Sequence, residues 1–130
     1  MPVSVLPTPS IPPALGNYSQ AVAVTGPGRW VFISGQVGID SNGLYGETFE
    51  DQANLVWRNV LGALHDARMT SADLVKTTAY ITRAEDLPRH RAIRDHHIGE
   101  ARPAGTLVVV QRLGPPAALI EVEAVAFASM

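Results

Sequence analysis

From Thr48 to about Ala67 the apolar residues recur at steps of three and four: Phe49, Ala53, Val56, Val60, Ala63 and Ala67. That spacing predicts a helix with one apolar face. A one-faced helix must lie on something, and the segments around it offer strands. Thr48 opens the helix, with Asp51 three residues on as the reciprocal partner of a capping box. Before it, Gln20–Val24 reads as a short strand, Gly26-Pro27-Gly28 as a turn and Trp30–Ser34 as a second strand, which together predict a hairpin. Gly35 and Gly38 bracket a break, and Asp40-Ser41-Asn42-Gly43 is a further turn.

After the helix, Thr70-Ser71-Ala72-Asp73 is a second cap signal, predicting a single turn. Leu74–Thr82 is β-branched and aromatic enough for a long strand. Asp86 and Pro88 start a second helix, with Leu87, Ile93 and His97 on one side and Gly99 at its end. Thr106–Leu113 and Leu119–Ala128 are the last strands, separated by Gly114-Pro115-Pro116. Residues 1–15 carry Pro2, Pro7, Pro9, Pro12 and Pro13, which predict an extended arm; residues 16–130 are a single domain. The order β-β-α-β-α-β-β predicts an α+β fold, a mixed sheet with two helices on one face. The other face then needs a cover.

Composition points the same way. Charged residues are 17% of the 130, against about 25% in an average soluble domain. A small domain with so few charges hides part of its surface against other subunits. The balance of 10 basic against 12 acidic residues gives a net charge of -2 and no clustered basic excess, so nucleic acid is not the expected partner. There is no cysteine, which removes disulfides, thiolate catalysis and Cys-based metal sites. Apolar runs are too short to span a bilayer, and the first residues lack the pattern of a secretory leader. The expectation is a soluble, cytoplasmic, oligomeric domain with no membrane partner.

Chemistry-bearing residues are sparse. His90, His96 and His97 approach a cluster, but no carboxylate and histidine pair has zinc-site spacing; these read as helix-surface or interface histidines, with no metal. Ser34 lies in Ile33-Ser34-Gly35-Gln36, a context for a turn rather than a nucleophile, and Gly26-Pro27-Gly28 is too short for a phosphate loop. In Ile120–Ala126 the alternation places Ile120, Val122, Ala124 and Ala126 on one face, and Glu121 and Glu123 on the other. A carboxylate in so apolar a strand needs a partner. It is either half of an ion pair at a subunit interface or an acid/base group that positions water in a pocket. Arg91 and Arg94 share a helix face. They either clamp a carboxylate or stay solvated and bridge to Asp95 and Glu100.

These pieces, taken in order, resemble the Rid (YjgF/YER057c/UK114) family, whose best-known members are enamine/imine deaminases. The carrying residues are Tyr18 and Gln20, Phe32-Ile33-Ser34-Gly35-Gln36, Asp40 with Gly43, and Gln52 with Asn59. They continue through Asp73–Ile81, Arg102-Pro103-Ala104, Arg112-Leu113 and Ile120–Ala126, so the resemblance covers about Gly16 to Ala126. It implies a chorismate mutase-like fold and a homotrimer with a barrel-like centre, pockets between neighbouring subunits, a small-molecule ligand and no cofactor. By position it makes Glu121 and Tyr18 the catalytic pair, Glu121 activating water. Arg91, Ser34, Gly35, Gly105 and Thr106 fall where substrate is bound.

One departure matters. The deaminases carry, directly after Pro-Ala, an arginine that grips the substrate carboxylate; here that place is Gly105. Loss of a bidentate carboxylate contact costs about 2–5 kcal/mol of binding. Either the site is rebuilt, with Arg91 supplying the charge and Thr106 a hydroxyl for an altered imine, enamine or related substrate, or the chain is a non-catalytic metabolite-binding or protein-interaction trimer. Ribonuclease activity, attached to some relatives, finds no support in the charge.

Overall fold

The computed structural model describes residues 2–130. In chain order its elements are β1 (Val3–Val5), β2 (Val22–Val24), β3 (Gly28–Val37), α1 (Phe49–Asp66), β4 (Leu74–Ile81), α2 (Leu87–Ile98), β5 (Ala104–Val109) and β6 (Ile120–Ser129), with single 3-10 turns at Ser71–Asp73 and Ala84–Asp86. Strands β3 to β6 form one mixed sheet in the order β3-β6-β4-β5. β6 runs antiparallel to both β3 and β4, whereas β4 and β5 are parallel. A parallel pair needs a crossover, and α2 supplies it. The fold is α+β, with two helices on a mixed sheet.

α1 forms where its periodicity predicts. The Thr48 side chain accepts from the Asp51 N–H at 3.1 Å, but Asp51 does not return the bond. The reciprocal box closes instead at Thr70 and Asp73, before the 3-10 turn. The buried stripe of α1 follows Phe49, Ala53, Val56, Trp57, Val60 and Leu64, against Ala79, Ile81, Ile120, Val122, Ala124 and Ala126 of the sheet. Each fully buried large apolar side chain there contributes roughly 1.5–3 kcal/mol. The helix ends at Asp66, and just beyond its cap Arg68 has a φ of 60°, a left-handed conformation usually left to glycine. α2 has Pro88 in its first turn and ends at Gly99, whose φ is 61°. Asp86 makes no side-chain cap bond; it is buried and paired with Arg83 at 3.0 Å and Arg89 at 3.7 Å.

Two further expectations change. β2 does not form a hairpin with β3. It pairs with β1 in the proline-rich arm, Val3 against Val24 and Val5 against Val22. Flanking bonds from Thr25 N–H to Pro2 and from Leu6 N–H to Ala21 extend that ladder, so the arm satisfies the short strand and leaves β3 to β6. β5 begins at Ala104 and ends at Val109, two residues earlier at its start and four at its end than its composition predicts. A strand lasts only as long as its partner, and β4 finishes at Ile81, opposite Val109.

The face of the sheet away from the helices is open. Phe32 is 75% exposed and Trp30 50%, with Trp30 packed edge-on against Phe127 at 5.0 Å. Lys76, Thr78, Tyr80, Glu121 and Glu123 share this face, as the cross-strand registers require. Exposed apolar patches rimmed by polar residues are a common mark of interaction surfaces.

Candidate functional site

A cavity of about 370 Å³ opens where α2 crosses the β5 edge of the sheet. That volume lies in the range of about 300–1,000 Å³ usual for small-molecule sites. Thr77 and Ala79 of β4 with Gly105 and Leu107 of β5 form one wall; Trp57 of α1 and Leu87, His90, Arg91 and Arg94 of α2 form the other; Tyr18 and Gln20 close the side. Tyr18 is held there by its neighbour. Ser19 bridges to Ala104, its N–H donates to the Pro103 carbonyl at 3.1 Å, and its hydroxyl donates to the Arg102 carbonyl. A Cβ at Gly105 would lie 3.7 Å from Thr77 Oγ1 and 3.8 Å from Tyr18 Cβ, ordinary contacts. Packing therefore does not demand glycine at this position. Its consequence is space.

The two arginines of α2 have different fates. Arg94 donates twice to Asp95 Oδ1, at 3.0 and 2.9 Å, and Asn17 Nδ2 holds the other Asp95 oxygen at 2.9 Å. Arg91 is exposed and makes no hydrogen bond or ion pair among the described residues. Of the pair, Arg91 is the one with every donor free.

Deeper in, Trp57 and His90 are 0% and 1% exposed, stacked with ring centroids 6.1 Å apart. Trp57 Nε1 and both ring nitrogens of His90 have no partner among the described residues. Buried polar atoms are nearly always paired, so three orphans in one ring stack are unusual. Burial, reinforced by the Arg94 guanidinium, pushes His90 down to about 4. The ring is neutral at pH 7, with one nitrogen donating and one accepting.

Glu121 lies elsewhere. It pairs in register with Tyr80, whereas the cavity wall is built from Thr77 and Ala79, which alternate to the opposite face. Its carboxylate is half-buried and makes no hydrogen bond among the described residues, in contrast to Glu123, which accepts from Tyr80 Oη at 2.7 Å. The pairing of β3 with β6 shifts between Ile33 and Gln36, so Ser34 and Gly35 stand in a bulge beside Glu121. A Cβ at Gly35 would overlap Glu121 Oε2 and come within 2.8 Å of Cδ. Bulges re-aim side chains, and this one lays bare backbone against a carboxylate.

The family model for endoribonuclease L-PSP matches residues 8–128. A RutC family protein of Pyrococcus abyssi is 33% identical over 98% of each chain. The human 2-iminobutanoate/2-iminopropanoate deaminase is 33% identical over 94% of this chain and 88% of its own. Among solved structures, YyfB of Yersinia pestis, described as a Rid family protein of unknown function, superimposes with a TM-score of 0.88. It is 29% identical and covered in full by 98% of this chain. The chain belongs to the Rid family.

Within this Rid protein the residues singled out from sequence fall into two groups. Tyr18, Arg91, Gly105 and Thr106 line the cavity. Glu121, Ser34 and Gly35 sit together on the open face, and a single chain does not bring the two groups into one site. The Thr106 hydroxyl is taken: it accepts from Lys76 Nζ at 2.6 Å. Burial holds that lysine below its ordinary value, the reverse pull of Glu123 being smaller. His90 is not a surface histidine as its spacing suggests; its side of α2 turns inward onto Trp57. His97 Nε2 meets Asn54 Oδ1 at 2.8 Å. Among the described residues no three His, Cys, Asp or Glu side chains gather as metal ligands, and no helix is long and apolar enough to cross a membrane. Trp57 was missed because it adds one more apolar residue to a helix already full of them, and nothing in the pattern marks it as facing a cavity.

Proposed function

We propose that this Rid protein hydrolyses the C=N bond of a small imine, or of an enamine through its imine tautomer, in a cleft between copies of the chain. In that assembly, a homotrimer by family resemblance, Glu121 of one copy faces the mouth of a neighbour's cavity. Tyr18 and the Gly35 backbone shape the cleft, and Arg91 orients an anionic group. Glu121 takes a proton from water as the oxygen attacks the iminium carbon. It returns that proton to the nitrogen of the carbinolamine and takes the hydroxyl proton as the C–N bond breaks, leaving a carbonyl and ammonia and passing the last proton to solvent. No cofactor enters this sequence.

The observation that carries the reading is the Glu121 carboxylate, unpaired among the described residues, beside a glycine that no larger residue can replace without moving it. Support also comes from the open apolar face around Trp30 and Phe32, which a neighbouring copy would cover, and from the deaminase name of the human relative. The test generates imines from amino acids with an amino-acid oxidase and follows their loss by semicarbazide trapping. The protein should speed imine loss and Glu121→Gln should abolish the effect; no acceleration with any amino acid tried would end the proposal.

Gly105 favours a second reading, a trimer that binds a metabolite without turning it over. A thermal-shift screen of small acids separates the two: stabilisation of the folded state with no turnover supports binding alone.

A further inference from the structure

We propose that Arg94 is a second anion anchor in the cavity, so that the ligand is a small dianion, a dicarboxylic acid with one carboxylate on Arg91 at the rim and the other on Arg94 further in. This rests on the reading of the cavity as the ligand site and names the class of molecule it takes.

Arg91 and Arg94 are three residues apart on α2, a spacing that sets side chains next to one another with about 5–6 Å between Cβ atoms. Both line the cavity, and among the described residues no Asp or Glu does. Arg91 is exposed, whereas the Arg94 side chain is only 13% exposed. Arg94 is also fixed in place. Its Nε and Nη2 both donate to Asp95 Oδ1, and Asn17 holds the other oxygen of that carboxylate. This leaves Nη1, which makes no hydrogen bond among the described residues. Nor is Nη1 sealed off: the buried side-chain nitrogens without partners are those of Trp57 and His90. A side chain so nearly buried, yet lining a cavity, has its accessible remainder there. Asp95 is not part of the lining, so the counter-ion lies outside the cavity that its arginine borders.

The field in the cavity is positive despite that counter-ion. His90, in the same wall, is held neutral first by burial; beyond burial Arg94 pushes it down, Asp95 opposes with less effect, and Arg91 pushes it down again. Like charges one helical turn apart repel, and only Arg94 has a partner to relieve that cost. A bound monoanion would answer one guanidinium, and a dianion answers both. A four-carbon diacid spans much the same distance as the two side chains. Gly105 leaves room for it in the facing wall, where packing would tolerate a side chain. Glu121 of a neighbouring copy would then face the iminium end, so each charge on the substrate meets one of opposite sign.

Imines made from aspartate and from asparagine, by oxidases that accept each, test this at neutral pH with semicarbazide trapping. The two substrates differ only in a side-chain carboxylate against a neutral amide of the same shape. The full-length protein should favour the aspartate imine by about tenfold or more in kcat/KM. Arg94→Gln should bring the two level, mainly by raising KM for the aspartate imine, and Arg91→Gln should slow both. Equal kcat/KM in the wild-type protein, or a preference that survives Arg94→Gln, overturns the dianion assignment while leaving hydrolysis as the reading of the site. No acceleration of either imine ends that reading. The charge assignment then stands or falls on calorimetric titration with succinate and its half-amide succinamate, where succinate should bind about tenfold or more tightly and a smaller ratio overturns it. The same titration decides should Arg94→Gln not fold.

Discussion

Glu121 and His90 are both acid/base side chains drawn out of bulk water, but the sheet separates them. Glu121 stands on the open face, half-buried, with backbone beside it and no roof. His90 stands on the helix face, enclosed and neutral, with Trp57 against it. The first lies on open surface, and the second stands at the wall of a cavity. On the proposed reading, the difference teaches that one copy of this fold contains the parts of a site rather than a site. On that reading a neighbouring copy would join them by covering the open face, where Trp30 and Phe32 are exposed.

The largest effect expected is at Glu121. Glu121→Gln keeps the shape and removes the proton acceptor, so imine turnover should fall by about 10²–10⁴ with the melting temperature unchanged. If turnover and stability fell together, Glu121 would be a structural group and the contrast with His90 would vanish.

His90 should show itself in stability rather than rate. Its folded value near 4 lies below the roughly 6.5 of an unfolded chain, so the unfolded state takes up the proton first as pH falls. The contribution of the buried neutral ring is complete above pH 6.5, declines between about 6.5 and 4, and levels off below. The total is about 3 kcal/mol. Denaturant titrations across that window should show the decline, and His90→Gln should flatten it.

Gly35→Ala probes the bulge. The atom in the way is the end of a flexible side chain, so stability should change by less than about 1 kcal/mol as Glu121 swings aside. Turnover should nonetheless drop by about tenfold to a hundredfold, since small displacements of a positioned group are costly. Unaltered turnover would mean that the close approach of Gly35 does not set the carboxylate's position.

The smallest effect lies away from both faces. Arg68→Gly relieves the left-handed backbone after α1 and should stabilise the protein by about 0.5–1 kcal/mol, read from the denaturation midpoint, without touching turnover. It is the control against which the other three are read.

Periodicity served the elements well and the site less so. The stripe from Phe49 to Leu64 and the alternation in β6 are local patterns, and they place the core and turn Glu121 away from it. The meeting of Gly35 with Glu121 is not local. It depends on a register shift between strands far apart in the chain, which no spacing rule exposes. The pairing of β1 with β2 was hidden because prolines near the start read as a free arm, although Val3–Val5 lies between two of them and keeps its N–H groups. His90 was misread because α2 is polar along most of its length, so one inward-facing polar residue has no apolar stripe to announce it. Gly105 was visible at once as a departure from the family; that it leaves open space rather than relieving a clash required coordinates.

The crossover helix joining the two parallel strands has a consequence for how such chains diversify. Its first two turns, from Leu87 to Arg94, border the cavity, yet none of them lies on the face that carries Glu121. Substitutions there can reshape the cavity while the opposite face of the sheet stays as it was, so the two can diversify independently.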